Sequence, residues 1–161
     1  MIFVCGIHGA GKTQYCKLLS METGRRYFSA SELILKKGKR NFHHKKVENI
    51  KLNQSFLVDE IKAIKRTGID FILDGHLCLL NQKGKIELID RDVIKKLNID
   101  LLIVLVDKPN VIKERIKERD GIMWDEQFIK SFQDKEIGYA KKLGMDLNID
   151  YKIVLNNIEN Q

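Results

Sequence analysis

Short, continuous apolar runs alternate with polar or amphipathic segments along most of the chain. Apolar runs of this length are typical of strands that are buried on both faces of a parallel sheet. The clearest run is residues 101–106, LLIVLV, which is followed by the turn sequence Asp-Lys-Pro. Strands are predicted at residues 2–5, 27–29, 71–73, 101–106 and 151–155.

The segments between the strands have the spacing of helices. Apolar residues such as Ile61 and Ile64 recur at intervals of three or four, which places them on one face. A short helix through Leu35 is also predicted, with Ser29 or Ser31 as its N-cap. The other helices are predicted at residues 12–21, 53–66, 90–97, 110–119 and 125–143. Strands that alternate with helices predict an α/β fold, a parallel sheet with helices on both faces.

The composition predicts one domain over residues 1–161. The chain is 43% hydrophobic and has one proline, which argues against an extended disordered region. No apolar run approaches the roughly 18 residues of a membrane span, so no membrane partner is expected. The three cysteines have no metal-ligand or redox spacing, and Cys5 is expected in the core. A cytoplasmic protein is predicted, since the first motif begins at Gly6 and leaves no room for a signal peptide.

Residues 6–13, GIHGAGKT, fit the phosphate-binding pattern G-x-x-x-x-G-K-[ST] between a strand and a helix. Glycines let the loop curl around a phosphate, and the helix that follows directs its positive end at the same anion. Lys12 is expected to neutralise the β- and γ-phosphates of ATP, and Thr13 to hold Mg²⁺. His8 is expected to point away from the phosphates. The predicted nucleotide-binding residues are Gly6, Gly9, Ala10, Gly11, Lys12, Thr13 and Gln14.

Two polar residues follow the predicted strand at 71–73. Asp74 ends the apolar run, so its carboxylate is expected near the phosphate loop, where it would bind Mg²⁺ together with Thr13. A turn residue or helix cap is the alternative for Asp74. His76 is a candidate for positioning a water or an acceptor group near the γ-phosphate. A plain hydrogen-bonding histidine is the alternative there.

Two arginines, Arg115 and Arg119, are four residues apart and therefore share a helix face. Negative charge spreads over the equatorial oxygens during phosphoryl transfer, and arginines stabilise it. Arg119 is the stronger candidate because it precedes Asp-Gly, where a short lid would begin. Surface arginines paired with Glu114 or Glu118 are the alternative.

Five segments are similar to the adenylate kinase superfamily, and most of all to its archaeal-type and nuclear adenylate kinase-like branches. They are GIHGAGKT, YFSASELI, ILDGH, IVLVDKPNVIKERIKERD and KIVLNN. The resemblance implies a three-layer P-loop NTPase fold whose five parallel strands have the order 2-3-1-4-5. It also implies an acceptor-binding segment at about residues 30–68 and a short lid at about residues 115–126.

The activity that this resemblance implies is phosphoryl transfer from Mg·ATP to a small acceptor. A nucleoside monophosphate such as AMP is the leading candidate. Two acceptor-site motifs of conventional adenylate kinases are replaced here, one by Ser29-Ala30-Ser31 and the other by His76-Leu77-Cys78. The identity of the acceptor therefore stays open.

Two other functions stay open as well. The net charge is +7, and residues 36–46 are rich in Lys and Arg with Phe42 among them. This segment is predicted to be a mobile surface loop, but it could also belong to a polynucleotide 5′-hydroxyl kinase or an RNA-binding module. The nuclear branch of the family implies another alternative, an ATPase switch or assembly factor with a protein or ribonucleoprotein partner.

Overall fold

A computed structural model describes residues 1–41, 50–81 and 83–156, with side chains described except at 38–41, 50 and 51. The strands are β1 (Ile2–Cys5), β2 (Arg26–Ser29), β3 (Phe71–Asp74), β4 (Cys78–Leu80), β5 (Ile86–Leu88), β6 (Leu101–Val106) and β7 (Asp150–Leu155). The helices are α1 (Lys12–Thr23), α2 (Ala30–Asn41), α3 (Ile50–Arg66), α4 (Arg91–Leu97), α5 (Pro109–Asp120) and α6 (Glu126–Leu147). Among these helices none is both long and apolar enough to cross a bilayer.

The main sheet has five parallel strands in the order β2-β3-β1-β6-β7. Counted within this sheet alone, the order is 2-3-1-4-5, which confirms the predicted α/β fold and strand order. The register sets Val4 of β1 beside Asp74 of β3 on one side and Ile103 of β6 on the other. The carboxyl end of β3 therefore lies next to the loop that leaves β1.

The core lies on both faces of the main sheet, because successive residues of a strand point to opposite faces. Phe3 and Cys5 belong to the larger apolar cluster, on the side of α3 to α6. Val4 belongs to the smaller cluster, on the side of α1, where Cys16 is buried. The predicted core position of Cys5 is confirmed.

Two parts of the chain differ from the prediction. The short strands β4 and β5 form an antiparallel hairpin that no apolar pattern indicated, because each has only three residues. The helix predicted to stop at Leu35 continues as α2 to Asn41, so the start of the basic segment is helical, not a mobile loop. Lys37 forms an ion pair with Glu60 of α3, 3.3 Å apart, and the two helices pack together. Residues 42–49 lie outside the described residues.

Candidate functional site

A cleft of about 980 Å³ opens at the carboxyl edge of the main sheet, beside the loop between β1 and α1. It extends between α2, α3 and α4 on one side and reaches α5 on the other. Most of the predicted site residues line this cleft: Gly9, Gly11, Lys12, Thr13, Gln14, Asp74, His76, Arg115 and Arg119. Gly6 and Ala10 are instead buried beside it. The fold therefore brings the residues that the sequence indicated for phosphate chemistry to one cavity.

Two glycines shape the loop between β1 and α1. Gly9 and Gly11 have positive φ values of 81° and 86°, which side-chain-bearing residues rarely adopt. A Cβ at Gly9 would lie 2.8 Å from Ile116 and 3.0 Å from Ile112, because α5 packs directly on the loop. Helix α1 begins at Lys12 with no acidic residue in its first turn, so its N-terminal end can attract an anion.

Lys12 lies inside this loop and is only 7% exposed. Its Nζ donates to the main-chain oxygens of Gly6 and Ile7, at 2.9 and 3.0 Å. Burial lowers the pKa of Lys12, while the carboxylates of Asp74 and Glu136 favour its charged form. The ammonium is thus held within the loop, where a bound phosphate would compete for its hydrogen bonds.

Asp74 and Thr13 meet at the end of β3, as predicted. Oδ2 of Asp74 lies 3.4 Å from the hydroxyl of Thr13 and accepts a 3.0 Å hydrogen bond from the hydroxyl of Tyr27. Burial raises the pKa of the Asp74 carboxyl, and Lys12 acts in the opposite direction. The sequence reasoning missed Tyr27, although its position two residues before Ser29, the β-sheet partner of Asp74, could have indicated it.

The residues at this position fit Mg²⁺. A carboxylate and a hydroxyl are hard oxygen ligands, and Mg²⁺ bound to a nucleotide typically takes only one or two protein ligands. No group of three or more His, Cys, Asp or Glu side chains that could hold a metal is present in the described part of the chain. Asp74 and Thr13 would therefore hold the ion together with phosphate oxygens and water.

The two histidines of the cleft face each other. The ring centroids of His8 and His76 are 4.3 Å apart, and both residues line the cleft. That His8 points away from the phosphates stays a prediction. The loop turns His8 toward the segment that follows β3, where His76 lies. Burial lowers the pKa of His76 well below its ordinary value. Among the described residues, Nδ1 of His76 has no hydrogen-bond partner.

We expect His8 to make the protein less stable at mildly acidic pH. Burial, with help from Lys12 and Arg119 and against Asp120, lowers the pKa of His8 from 6.5 to about 4. The unfolded chain then takes up a proton that the folded chain refuses, so stability falls as the pH drops from 6.5 toward 4. Urea unfolding measures the free energy of unfolding at pH 7 and at pH 5. Between these two pH values it should decrease by about 2 kcal/mol more in the wild type than in His8→Asn. Equal losses in the two proteins would contradict this.

The two predicted arginines have different contacts. Nη1 of Arg115 donates to Asp107 at 2.7 Å and to the oxygen of Gly9 at 3.2 Å, which ties α5 to the phosphate loop. Arg119 forms two hydrogen bonds with the neighbouring Asp120, at 2.8 and 2.6 Å, and its side chain is 59% exposed. The partners are therefore Asp107 and Asp120, not Glu114 and Glu118. Arg115 contacts the loop, whereas Arg119 stands at the rim of the cleft.

Polar residues that the sequence reasoning missed form hydrogen bonds to the main chain of the residues around the site. Asn156, directly after β7, donates to the oxygen of Ala10 at 2.9 Å. Gln133 of α6 exchanges two hydrogen bonds with the main chain of Asp107, at 3.0 and 2.9 Å. Asp107 and Asn156 follow strands, which was a usable signal. Gln133 and Glu136 occupy buried positions of a helix stripe that is otherwise apolar, which was a second usable signal.

The start of the basic segment does not join the cleft. Neither Lys36 nor Lys37 is among the residues that line it, and Lys37 pairs with Glu60 instead. The other basic side chains of residues 36–46 lie outside the described side chains. The hypothesis that this segment binds RNA stays a prediction.

Comparison with known sequences identifies a family and related proteins. The profile of a family described as an AAA domain matches residues 5–132. A protein of Thermococcus onnurineus described as "Putative adenylate kinase" is 33% identical over 122 residues, 74% of this chain and 55% of that protein. A Pyrococcus abyssi protein with the same description is 29% identical over 120 residues, again 74% and 55%. The chain spans little more than half the length of these curated relatives.

Comparison with solved structures supports the fold. A sugar kinase from Janibacter sp. has a TM-score of 0.57 at 18% identity and covers 96% of this chain and 83% of its own. Shikimate kinase from Acinetobacter baumannii has the same TM-score at 16% identity and covers 99% and 83%. At this identity the likeness shows the fold alone. Since the family profile spans most of the chain, the protein belongs to this AAA-domain family.

Proposed function

We propose that this protein transfers the γ-phosphoryl group of Mg·ATP to a small acceptor, for which a nucleoside monophosphate is the leading candidate. The observation that carries the proposal is the placement of Lys12, Asp74 and Arg119 around one cleft at the end of a phosphate-binding loop. In this reaction an acceptor oxygen bonds to the γ-phosphorus, the bond to the bridging oxygen breaks, and ADP leaves. Catalysis of this kind depends on positioning and charge neutralisation, which these groups can supply.

Each group has a distinct part in the proposal. The main-chain N–H groups of the loop and the N-terminus of α1 would hold the β-phosphate, with Lys12 reaching the γ-phosphate. Asp74 and Thr13 would hold Mg²⁺, which neutralises charge on the phosphate oxygens when bound. Arg115 would keep the loop in place, since it donates to Gly9. Arg119 would stabilise the charge on the transferring group.

The other end of the cleft supports a nucleotide acceptor. Its walls from α2, α3, the hairpin and α4 present Ile34, Leu57, Leu79 and Val93, with a few polar groups. A flat apolar base suits such walls better than a sugar, whose hydroxyls would need many partners. The archaeal relatives described as adenylate kinases point the same way. Residues 30–68 therefore stay our prediction for the acceptor-binding segment and residues 115–126 for the lid.

The proposal is tested by ADP formation from Mg·ATP with a panel of nucleoside monophosphates and, separately, their unphosphorylated nucleosides. We expect one monophosphate to stimulate ADP formation strongly above the rate with ATP alone. If a nucleoside is the best acceptor, the protein is still a kinase, but its acceptor is a nucleoside and not a nucleoside monophosphate. A rate that no compound of either set changes would contradict a nucleotide kinase and favour an ATPase switch.

Arg119 offers a test of the lid. Replacing it by alanine is expected to lower kcat by about 10²–10³-fold, because one charge-stabilising donor is lost from the transition state. Asp120→Asn removes the partner that holds the guanidinium at the rim, and it should leave kcat at or above the wild-type value. Steady-state kinetics of the two variants compare them directly. An equal loss of kcat in both variants would mean that catalysis depends on the ion pair between Arg119 and Asp120, and not on an arginine released from it.

A further inference from the structure

Glu136 of α6 is a buried carboxylate that favours the charged form of Lys12 but contacts no group of the proposed reaction directly. It is 1% exposed, and both of its oxygens accept main-chain hydrogen bonds, from Leu77 N at 2.9 Å and from Cys78 N at 2.8 Å. The thiol of Cys78 bonds to the same carboxylate. Burying a carboxylate is costly unless its oxygens are satisfied, and an apolar residue would fill the position at lower cost. The geometry of its partners therefore indicates what Glu136 does.

Those partners lie directly after His76. On the other side of the histidine, the N–H of Gly75 donates to the oxygen of Val4 at 3.0 Å, so β1 fixes the chain there. After Gly75 the chain leaves the parallel sheet and enters the hairpin, where the oxygen of Leu77 accepts from Ile89 N at 2.8 Å and Cys78 pairs with Leu88. The two oxygens of Glu136 take the N–H groups of residues 77 and 78 and so tie this end of the hairpin to α6. His76 thus stands between a main-chain anchor from the parallel sheet and a second one that α6 and the hairpin share.

The surroundings of the His76 ring show why the anchoring of its main chain affects the position of the ring in the cleft. His76 lines the cleft beside Lys12, packs against His8, and has an unpartnered Nδ1 among the described residues. The ring also bonds to the main chain of Gly6. With Nδ1 unpartnered, its position depends on that contact and on the path of its own main chain. Gly75 adds to the restraint, because a Cβ there would lie 2.6 Å from the ring of Phe3.

We propose that Glu136 is a positioning residue that fixes the main chain after His76 and thereby holds the imidazole in the cleft. The effect of this positioning on catalysis rests on the proposed kinase function, but the positioning itself does not. Glu136→Gln keeps the shape and turns one acceptor oxygen into an amide N–H₂ that faces a main-chain donor. Tyr139→Phe is a matched control, since it removes a 2.5 Å hydrogen bond from the same helix to the oxygen of Ile89.

The catalytic part is tested by a double-mutant cycle with Mg·ATP as donor and AMP as the acceptor probe. Glu136→Gln is expected to lower kcat by about a hundredfold through misplacement of the ring, with little change in the KM for ATP. In a His76→Asn background the same substitution should cost less than about threefold, because the group it positions is gone. Fully additive losses would overturn the proposal and assign Glu136 to another part of the site.

The positional part is tested without any activity, by the ¹⁵N and ¹H resonances of the histidine rings at constant pH. Glu136→Gln should shift or split the His76 signals, and Tyr139→Phe should leave them in place. His76 signals unchanged in Glu136→Gln would overturn the proposal even if the kinase reaction is established. If Glu136→Gln does not fold, Glu136→Asp is measured instead, since it keeps the charge but shortens the reach. Loss of the fold in both variants would assign Glu136 a structural role alone and equally overturn the proposal.

Discussion

Lys12→Met should lower the rate of ADP formation by about 10²–10³-fold, the loss typical of removing one stabilising donor from the transition state. Methionine keeps the length and apolar stem of the side chain but lacks the ammonium that donates to Gly6 and Ile7. The charge is already desolvated in the resting loop, so its interaction with a phosphate is strong. The expected loss is in kcat as well as in ATP affinity, because the γ-phosphate gains charge on its oxygens during transfer.

The matched control is Lys17→Met. Lys17 lies on α1 as well, but it is exposed and outside the cleft, so its removal should leave turnover unchanged. Both variants reduce the net charge by the same amount, which separates a site effect from a general one. Similar rates for the two variants would contradict a phosphate-binding role of Lys12.

Asp74→Asn should raise the Mg²⁺ concentration for half-maximal activity by about 10–100-fold, the usual cost of disturbing a metal's surroundings. The asparagine can still accept the hydrogen bond from Tyr27, so the local structure is retained while the charge is lost. Burial raises the pKa of Asp74, which means that ionising this carboxyl costs the folded state stability at neutral pH. The melting temperature of Asp74→Asn should therefore not fall.

Tyr27→Phe provides the comparison for Asp74. It removes one hydrogen bond to the carboxylate but keeps its charge, so we expect a smaller increase in the Mg²⁺ requirement than in Asp74→Asn. A titration of activity against Mg²⁺ for the two variants measures the difference. An unchanged Mg²⁺ dependence in Asp74→Asn would remove this residue from the proposed metal site.

Much of the fold was predictable because β1, β3 and β6, the central strands of the main sheet, are buried on both faces. The run at residues 101–106 has no polar interruption, so a strand was the simplest interpretation. The hairpin of β4 and β5 was not predictable from pattern, since three-residue strands are too short to show a period. The length of α2 was missed because the charges of Lys36 and Lys37 were taken as a sign of a surface loop. In the structure Lys37 of α2 forms an ion pair with Glu60 of α3.

The parts of the candidate site that were predictable are those where phosphate binding requires residues at a fixed spacing in the sequence. The parts that were not predictable depend on contacts between residues that are distant in sequence. The loop at residues 6–13 and the position of Asp74 after a strand followed from the chemistry of phosphate binding. The contact of His8 with His76 did not, because the direction of a loop side chain depends on what packs beside it. Glu136 was visible only as a polar residue in an apolar stripe, and its partners at residues 77 and 78 are distant in sequence.

The most direct test of the central claim is to follow the label from [γ-³²P]ATP in the presence of Mg²⁺ and the best acceptor of the panel. Phosphoryl transfer through this cleft predicts that the label appears in the phosphorylated acceptor and that Lys12→Met loses this product. Label found only in inorganic phosphate, at the same rate with or without acceptor, would contradict the account.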